Sequence, residues 1–409
     1  VSLDVVITGA GTVGPPGAGL EPLRESLREG RLELSPVEAL PGRRPGGARL
    51  AGRLPEDPFQ PWLSPREARR MSPASRMAVC VARMAVHDAN LEKEELAGPG
   101  LAVSLGTAFG STTYTAALLQ QALDAGPTAI SPLLFMETVA NAHAGQIALA
   151  LGATGSNLTI SQRESSGLLA VARGADLLRQ GRAERVLAGS VDEVSPIQHH
   201  VLDRVGALAR PTPQEDRELP RVFGAERDGF VISEGGTVFV LEPGDRARDR
   251  GTPILARLTA RARAADPSAP LGDWGHGAEE LAERLTGELR RQGIDLDSID
   301  RVVSGANGSP RGDLLEARVL RAAFGNALPP VLAPKSVTGE YGGGFLASAL
   351  LALDEVEWAP GPGCAQPDPE LDLPPHDGER LAPARRLLLT CLASGGSACW
   401  LVLDREPGA

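Results

Sequence analysis

The chain has 409 residues, 42% apolar and only 3% aromatic, enough to bury a large core built mainly from Ala, Leu and Val. Its net charge of −11, with both signs interspersed and no basic stripe, argues against a nucleic-acid partner. There is no leader-like N-terminus and no apolar run of about 20 residues, so neither export nor membrane insertion is expected. The four cysteines, Cys80, Cys364, Cys391 and Cys399, are scattered, with no CxxC and no His pair at metal spacing. That pattern fits a reducing, cytoplasmic setting better than a disulfide framework or a zinc site.

In chain order, the apolar run 5–11 ends in glycines, which predicts a buried strand and a turn. A Pro-, Gly- and Arg-rich loop follows over 41–61, then helical periodicity over 72–90. A second buried strand is predicted at 101–107, a helix at 112–125 and another at 139–151. Residues 157–161 read as a strand, Gln162-Arg163-Glu164 as a tight corner, 165–180 as an amphipathic helix and 185–189 as the next strand. This strand–corner–helix–strand order predicts parallel strands with helices on their faces.

After Glu242-Pro243 the pattern restarts. Strands are expected at 254–264, 301–305, 330–333, 386–391 and 398–403, helices at 277–292, 313–324 and 343–354, and a Pro- and acid-rich loop over 360–375. Two consecutive halves, 1–243 and 244–409, with similar element order predict a duplicated, layered α/β/α/β/α architecture.

Four stretches share the order and spacing of one family. They are Thr159-Ile160-Ser161-Gln162-Arg163-Glu164-Ser165-Ser166-Gly167, Glu226-Arg227-Asp228-Gly229-Phe230-Val231 with Glu234-Gly235-Gly236, Pro334-Lys335-Ser336-Val337-Thr338-Gly339, and Ile130-Ser131-Pro132 followed by Asn141 and Gly145. Together they resemble the β-ketoacyl synthases of the thiolase superfamily, over about residues 3–404. The resemblance implies two five-stranded sheets in a five-layered sandwich, a dimer, and acyl chains delivered on the phosphopantetheine arm of an acyl carrier protein, with no other cofactor.

The departures from the family pattern bear on function. By the resemblance, Glu164 stands at the position of the nucleophilic cysteine, Asn307 and Glu340 at those of the two histidines, and only Lys335 is retained. In place of the family's Gly-Phe-Gly-Gly-Thr-Asn stretch the chain has Ala393-Ser394-Gly395-Gly396-Ser397-Ala398, so Ser394 takes the gate position. Condensation needs a thiolate to hold the acyl chain as a thioester and hydrogen-bond donors to stabilise the enolate that forms as carbon dioxide leaves. A carboxylate at the corner would form a mixed anhydride, and an ionised Glu340 would repel the developing charge. Condensation by this chain alone is therefore not expected.

A ketosynthase-like chain without these groups is similar to the chain-length factor, or ketosynthase β subunit, of type II polyketide synthases, whose corner residue is commonly Gln rather than Glu. The resemblance implies a heterodimer with an active ketosynthase α subunit and a tunnel for the growing chain. It places Thr112, Thr115, Leu119, Phe135 and Thr138 on the tunnel wall; for Leu119 and Phe135 the bland alternative is ordinary core. For Glu164 the bland alternative is a plug paired with Lys335 or Arg163. Its functional alternative is a part in malonyl-carrier-protein decarboxylation or acyl transfer. Asp313 and Glu316 begin a predicted helix, where acidic residues suit the dipole without further function. The six histidines match no catalytic position, and His143 is expected to pack near the dimer interface.

Overall fold

Two glycines decide how the first strand packs. The strand β1 (Val5–Gly14) runs straight through Gly9 and Gly11, where the sequence predicts a turn. A Cβ at Gly9 would lie 2.3 Å from the carbonyl oxygen of Ala85, and one at Gly11 would lie 2.0 Å from that of Val81. Both carbonyls belong to the helix α1 (Pro73–Asp88). The glycines are thus a seat that lets a helix backbone approach a strand.

The computed structural model describes residues 3–55, 58–212, 215–363, 366–373 and 376–406, apart from the side chains of Lys93 and Glu94. Cys364 and part of the 360–375 loop lie outside the described residues. Besides β1, the principal strands are β2 (Leu101–Gly106), β3 (Asn157–Ile160), β4 (Arg185–Asp192), β5 (Gly235–Pro243), β6 (Ala256–Ala265), β7 (Arg301–Ser304), β8 (Val331–Leu332), β9 (Arg386–Leu392) and β10 (Ser397–Asp404). The first five lie in the order β3-β2-β4-β5-β1 and the last five in the order β8-β7-β9-β10-β6, the same permutation twice. In each half the two pairings at the far edge are parallel and the rest antiparallel. The two expected sheets are joined where β1 meets β6, through Val6↔Arg257 and Ile7↔Ala256.

Side chains alternate across each strand and so mark the layers. Leu187, Val238 and Val240 pack with α1 and with α4 (Ala142–Leu151), while Val186, Ala188, Phe239 and Leu241 point the other way. These latter residues meet the central helices α5 (Ser166–Arg179) and α8 (Gly342–Leu351). In the second half, Leu387, Leu389, Leu401 and Leu403 face the same central layer. Leu388, Trp400 and Val402 face α6 (Ala278–Arg291) and α7 (Pro310–Phe324). Helix, sheet, helix, sheet and helix layers follow in turn, as the repeated sequence pattern predicts. All ten residues of α8 are buried, as expected for a helix that is apolar all round.

One segment leaves the layers. The helices α2 (Thr112–Ala125) and α3 (Pro132–Thr138) form a hairpin in which no residue of α2 is buried and, in α3, only Glu137 is. Pro132 opens α3, which ends at Thr138; Val139 is extended, so the helix predicted from 139 starts instead at Ala142. Leu119 and Phe135 are 55% and 58% exposed, so the ordinary-core reading of these two residues fails. Among the described residues, no helix is long and apolar enough to cross a membrane.

Candidate functional site

The corner between β3 and α5 is built under backbone strain. Arg163 has φ +49, a left-handed conformation that costs a non-glycine residue about 1 kcal/mol. Ser166 braces the turn: its hydroxyl accepts from Gln162 N at 2.8 Å and donates to Arg163 O at 2.7 Å. A single 3-10 turn, Arg163–Ser165, then leads into α5 and sets Glu164 at the start of the central helix.

Glu164 makes no ion pair with Lys335 or Arg163, which corrects the partners expected for it. Its carboxylate accepts from the backbone N–H of Ser394 at 3.1 Å and from the Ser394 hydroxyl at 3.1 Å. With no ion pair, burial pushes the carboxyl up to about 7, and the negative charge of Glu340 adds to the shift. The Cys391 thiol donates to the Glu164 carbonyl oxygen at 3.1 Å, and burial holds its pKa well above the ordinary value. It is therefore a buried thiol and no substitute nucleophile.

Lys335 is fully buried, and its Nζ lies 2.8 and 2.9 Å from the two carboxylate oxygens of Glu340. Burial works against the ammonium, but the Glu340 charge and hydrogen bond outweigh it and the Lys335 pKa is raised. Asn307 Nδ2 donates to the same carboxylate at 2.6 Å, while Asn307 Oδ1 accepts from Ser309 N at 3.0 Å. Three of the four sequence-predicted positions are thus tied into one network, and Glu164 lies within electrostatic reach of it.

Beneath them lie two carboxyl groups that the sequence reading gave only a dipole role. Asp313 accepts from the backbone N–H groups of Asn307, Gly308 and Phe223 at 3.2, 3.1 and 2.8 Å. Glu316 accepts a short hydrogen bond from Ser304. Burial raises Asp313 to about 6 and Glu316 to about 8, with Asp313 itself raising Glu316 further. Helix periodicity hides such a role. The available signal was that Asp313 and Glu316 share one face, at i and i+3, of a helix that follows a Gly-rich turn.

A cleft of about 500 Å³ opens beside Glu164 and Ser394, walled by Phe109, Leu202, Phe230 and Trp274. None of the five expected tunnel residues lines it. Thr112 Oγ1 lies 3.3 Å from Glu193, Thr115 Oγ1 donates to Ser111 O at 2.7 Å, and Thr138 Oγ1 donates to Phe135 O at 2.8 Å. His143 is fully buried with Nδ1 3.2 Å from Ser75 Oγ, and burial lowers its pKa to about 4. The site offers a carboxyl group beside the cleft with its pKa raised to about 7, two more raised carboxyl groups beneath it, and a Lys–Glu–Asn network, with a carboxyl group rather than a thiol as the corner side chain.

A duplicated five-layered sandwich with a strained corner at the start of its central helix is a thiolase-like fold. The sequence matches the family described as "Beta-ketoacyl synthase, N-terminal domain" over residues 3–247, and the chain belongs to the β-ketoacyl synthase family. It is 32% identical to the tetracenomycin polyketide synthase ketoacyl synthase alpha subunit of Streptomyces glaucescens, over 90% of this chain and 89% of that protein. It is 30% identical to a granaticin polyketide putative beta-ketoacyl synthase of Streptomyces violaceoruber, over 90% of each. Among solved structures, the ishigamide ketosynthase/chain length factor superposes with a TM-score of 0.89 at 26% identity, covering 99% of this chain and all of the other. A type II acyl-carrier protein complex with its ketosynthase shares the fold, with a TM-score of 0.86 at 23% identity over 99% of this chain and all of that chain.

Proposed function

We propose that this chain is a non-condensing, chain-length-factor-like subunit that pairs with an active ketosynthase α subunit and shapes the tunnel for a growing polyketide or polyene chain. One observation carries the reading: Glu340 ties Lys335 and Asn307 to its own carboxylate, whose charge opposes an enolate, and the corner residue Glu164 is no thiol that could hold an acyl chain. Supporting it, the hairpin 112–138, which bears Thr112, Thr115, Leu119, Phe135 and Thr138, presents apolar side chains left exposed among the described residues. Leu123 and Met136 on it are 82% and 60% exposed, as an interface in a dimeric family would be before its partner binds. The repeated strand order supports a division into halves 1–243 and 244–409. The acyl chain would arrive on the phosphopantetheine arm of a carrier protein in the cytoplasm.

A second reading is favoured by the open cleft at Glu164. There a malonyl thioester would lose carbon dioxide, the electrons of the broken C–C bond passing into an enolate that takes up a proton to give the acetyl thioester. Co-expression with a ketosynthase separates the two. A stable 1:1 complex that makes product only when both chains are present supports the first. Carbon dioxide release by the chain alone, lost in Glu164→Ala, would replace it with the second.

A further inference from the structure

Two buried carboxylates from distant parts of the chain end on one turn, the start of α1 at Ser72-Pro73-Ala74-Ser75. Glu193, just after β4, is 2% exposed. One of its oxygens accepts from Ala74 N at 3.1 Å; the other accepts from Thr113 N at 2.6 Å, in the first turn of α2. Glu137, near the end of α3, is also 2% exposed. One of its oxygens accepts from Ser72 N at 2.9 Å and Ser75 Oγ at 2.6 Å; the other accepts from Gln146 Nε2 of α4 at 2.7 Å. Between these two ties the hairpin buries nothing else within its helices, so it lacks the apolar packing that usually fixes a helix. A further tie is the hydrogen bond from Tyr114 Oη to Met71 O at 3.2 Å, next to the same turn.

We propose that Glu193 and Glu137 are positioning residues that fix both ends of the hairpin 112–138 to the start of α1, and thereby set the length of chain that the complex with a ketosynthase makes. The inference rests on the partner-subunit reading above. A carboxylate suits both places because it accepts on two sides and sits at helix N-termini, where negative charge is favoured.

The two ties respond differently to an amide. The oxygens of Glu193 serve two different helices, so Glu193→Gln can accept on one side only and turns an NH2 toward an N–H on the other. Glu137→Gln can keep its bonds to Ser72 and Ser75, because the amide of Gln146 can rotate to present its oxygen. The tests are hydrogen exchange on the chain alone and product analysis of the 1:1 complex. Exchange over 112–125 should rise by about tenfold or more in Glu193→Gln, with β4 and α5 unchanged, and stay near wild type in Glu137→Gln. The complex with Glu193→Gln should still form but release a broadened range of chain lengths.

Wild-type exchange over 112–125 in Glu193→Gln would overturn the tether. Faster exchange with an unchanged product range would overturn its control of length. Should Glu193→Gln not fold, Glu137→Ala severs the other tie and is read in the same way over 127–141. If the wild-type complex makes no product at all, the partner-subunit reading fails and the length claim with it, while the exchange result still decides the tether.

Discussion

Lys335 and Glu340 form a two-point pair, the ammonium nitrogen 2.8 and 2.9 Å from the two carboxylate oxygens, with Lys335 wholly out of solvent. Breaking a buried pair from one side leaves a charge without its partner, which costs about 3–5 kcal/mol. Glu340→Gln and Lys335→Met should each destabilise by an amount of that order. The double variant should cost much less than the sum, because both charges are then gone. Urea unfolding of the four proteins gives the coupling. Additive losses would mean that the pair is not formed in solution.

Glu164 should make stability fall as pH rises. Its carboxyl is raised from 4.5 to about 7 in the folded chain, chiefly by burial and then by Glu340. As pH climbs past the ordinary value, the unfolded state releases this proton first, so the folded state loses stability until its own pKa is passed. Glu164→Gln removes that titration. The stability of Glu164→Gln relative to wild type should therefore be flat below pH about 4.5, rise between there and about 7, and level off above. Parallel stability curves for the two proteins from pH 4 to 8 would show that Glu164 does not titrate in this window.

Much of the layered fold was legible because period-2 apolar runs and amphipathic helices alternate along the chain, and 112–125 was read to the residue. What failed did so for identifiable reasons. Gly9 and Gly11 read as a turn because sequence alone does not reveal that α1 presses on them. The helix Pro196–Arg204 was passed over although Ser195 and Gln198 form a capping box. The positions Glu164, Asn307, Lys335, Glu340 and Ser394 came from the family resemblance, and the structure brings them together. Their actual pairing did not follow, because whether Lys335 meets Glu164 or Glu340 depends on how the backbone places Glu164, 171 residues away in sequence. Asp313 and Glu193 were hidden for a like reason: their hydrogen-bond partners are mostly backbone N–H groups, which leave no trace in residue type.

The glycine seat can be tested directly. In Gly11→Ala, the added Cβ would lie 2.0 Å from Val81 O, a backbone atom that can move only if α1 shifts. Overpacking of this kind typically costs about 1–3 kcal/mol, and more where backbone must yield. Gly145→Ala, in α4 with open space around its Cβ, is the control and should be neutral or slightly stabilising. Thermal unfolding that ranks the two variants the other way would contradict the packing of β1 against α1.

The hairpin surface makes the opposite kind of prediction. Leu123 and Phe135 are 82% and 58% exposed, so Leu123→Asp and Phe135→Asp should change the stability of the isolated chain by no more than about 0.5 kcal/mol. If these residues meet a ketosynthase partner, each aspartate places a charge in a desolvated contact and should weaken the 1:1 complex by tenfold or more, about 1.4 kcal/mol. Sedimentation or titration calorimetry with the partner reads the affinity. Unchanged binding in both variants would remove the hairpin from the interface.

Restoring the nucleophile should not restore the reaction. Glu164→Cys places a thiol at the start of α5, beside an open cleft and within reach of the Lys335 charge, so it should be alkylated by iodoacetamide at neutral pH, unlike buried Cys80, Cys391 and Cys399. Alkylation shows that the corner is reachable. Condensation also needs donors aimed at the thioester carbonyl as the enolate forms, and here Glu340 holds both Lys335 and Asn307 while its own carboxylate repels developing negative charge. The variant supplied with acyl- and malonyl-carrier protein should therefore form no carbon–carbon bond. Elongation by Glu164→Cys alone would show that the Lys335–Glu340–Asn307 network opens during turnover, and it would undo the argument that this chain cannot condense.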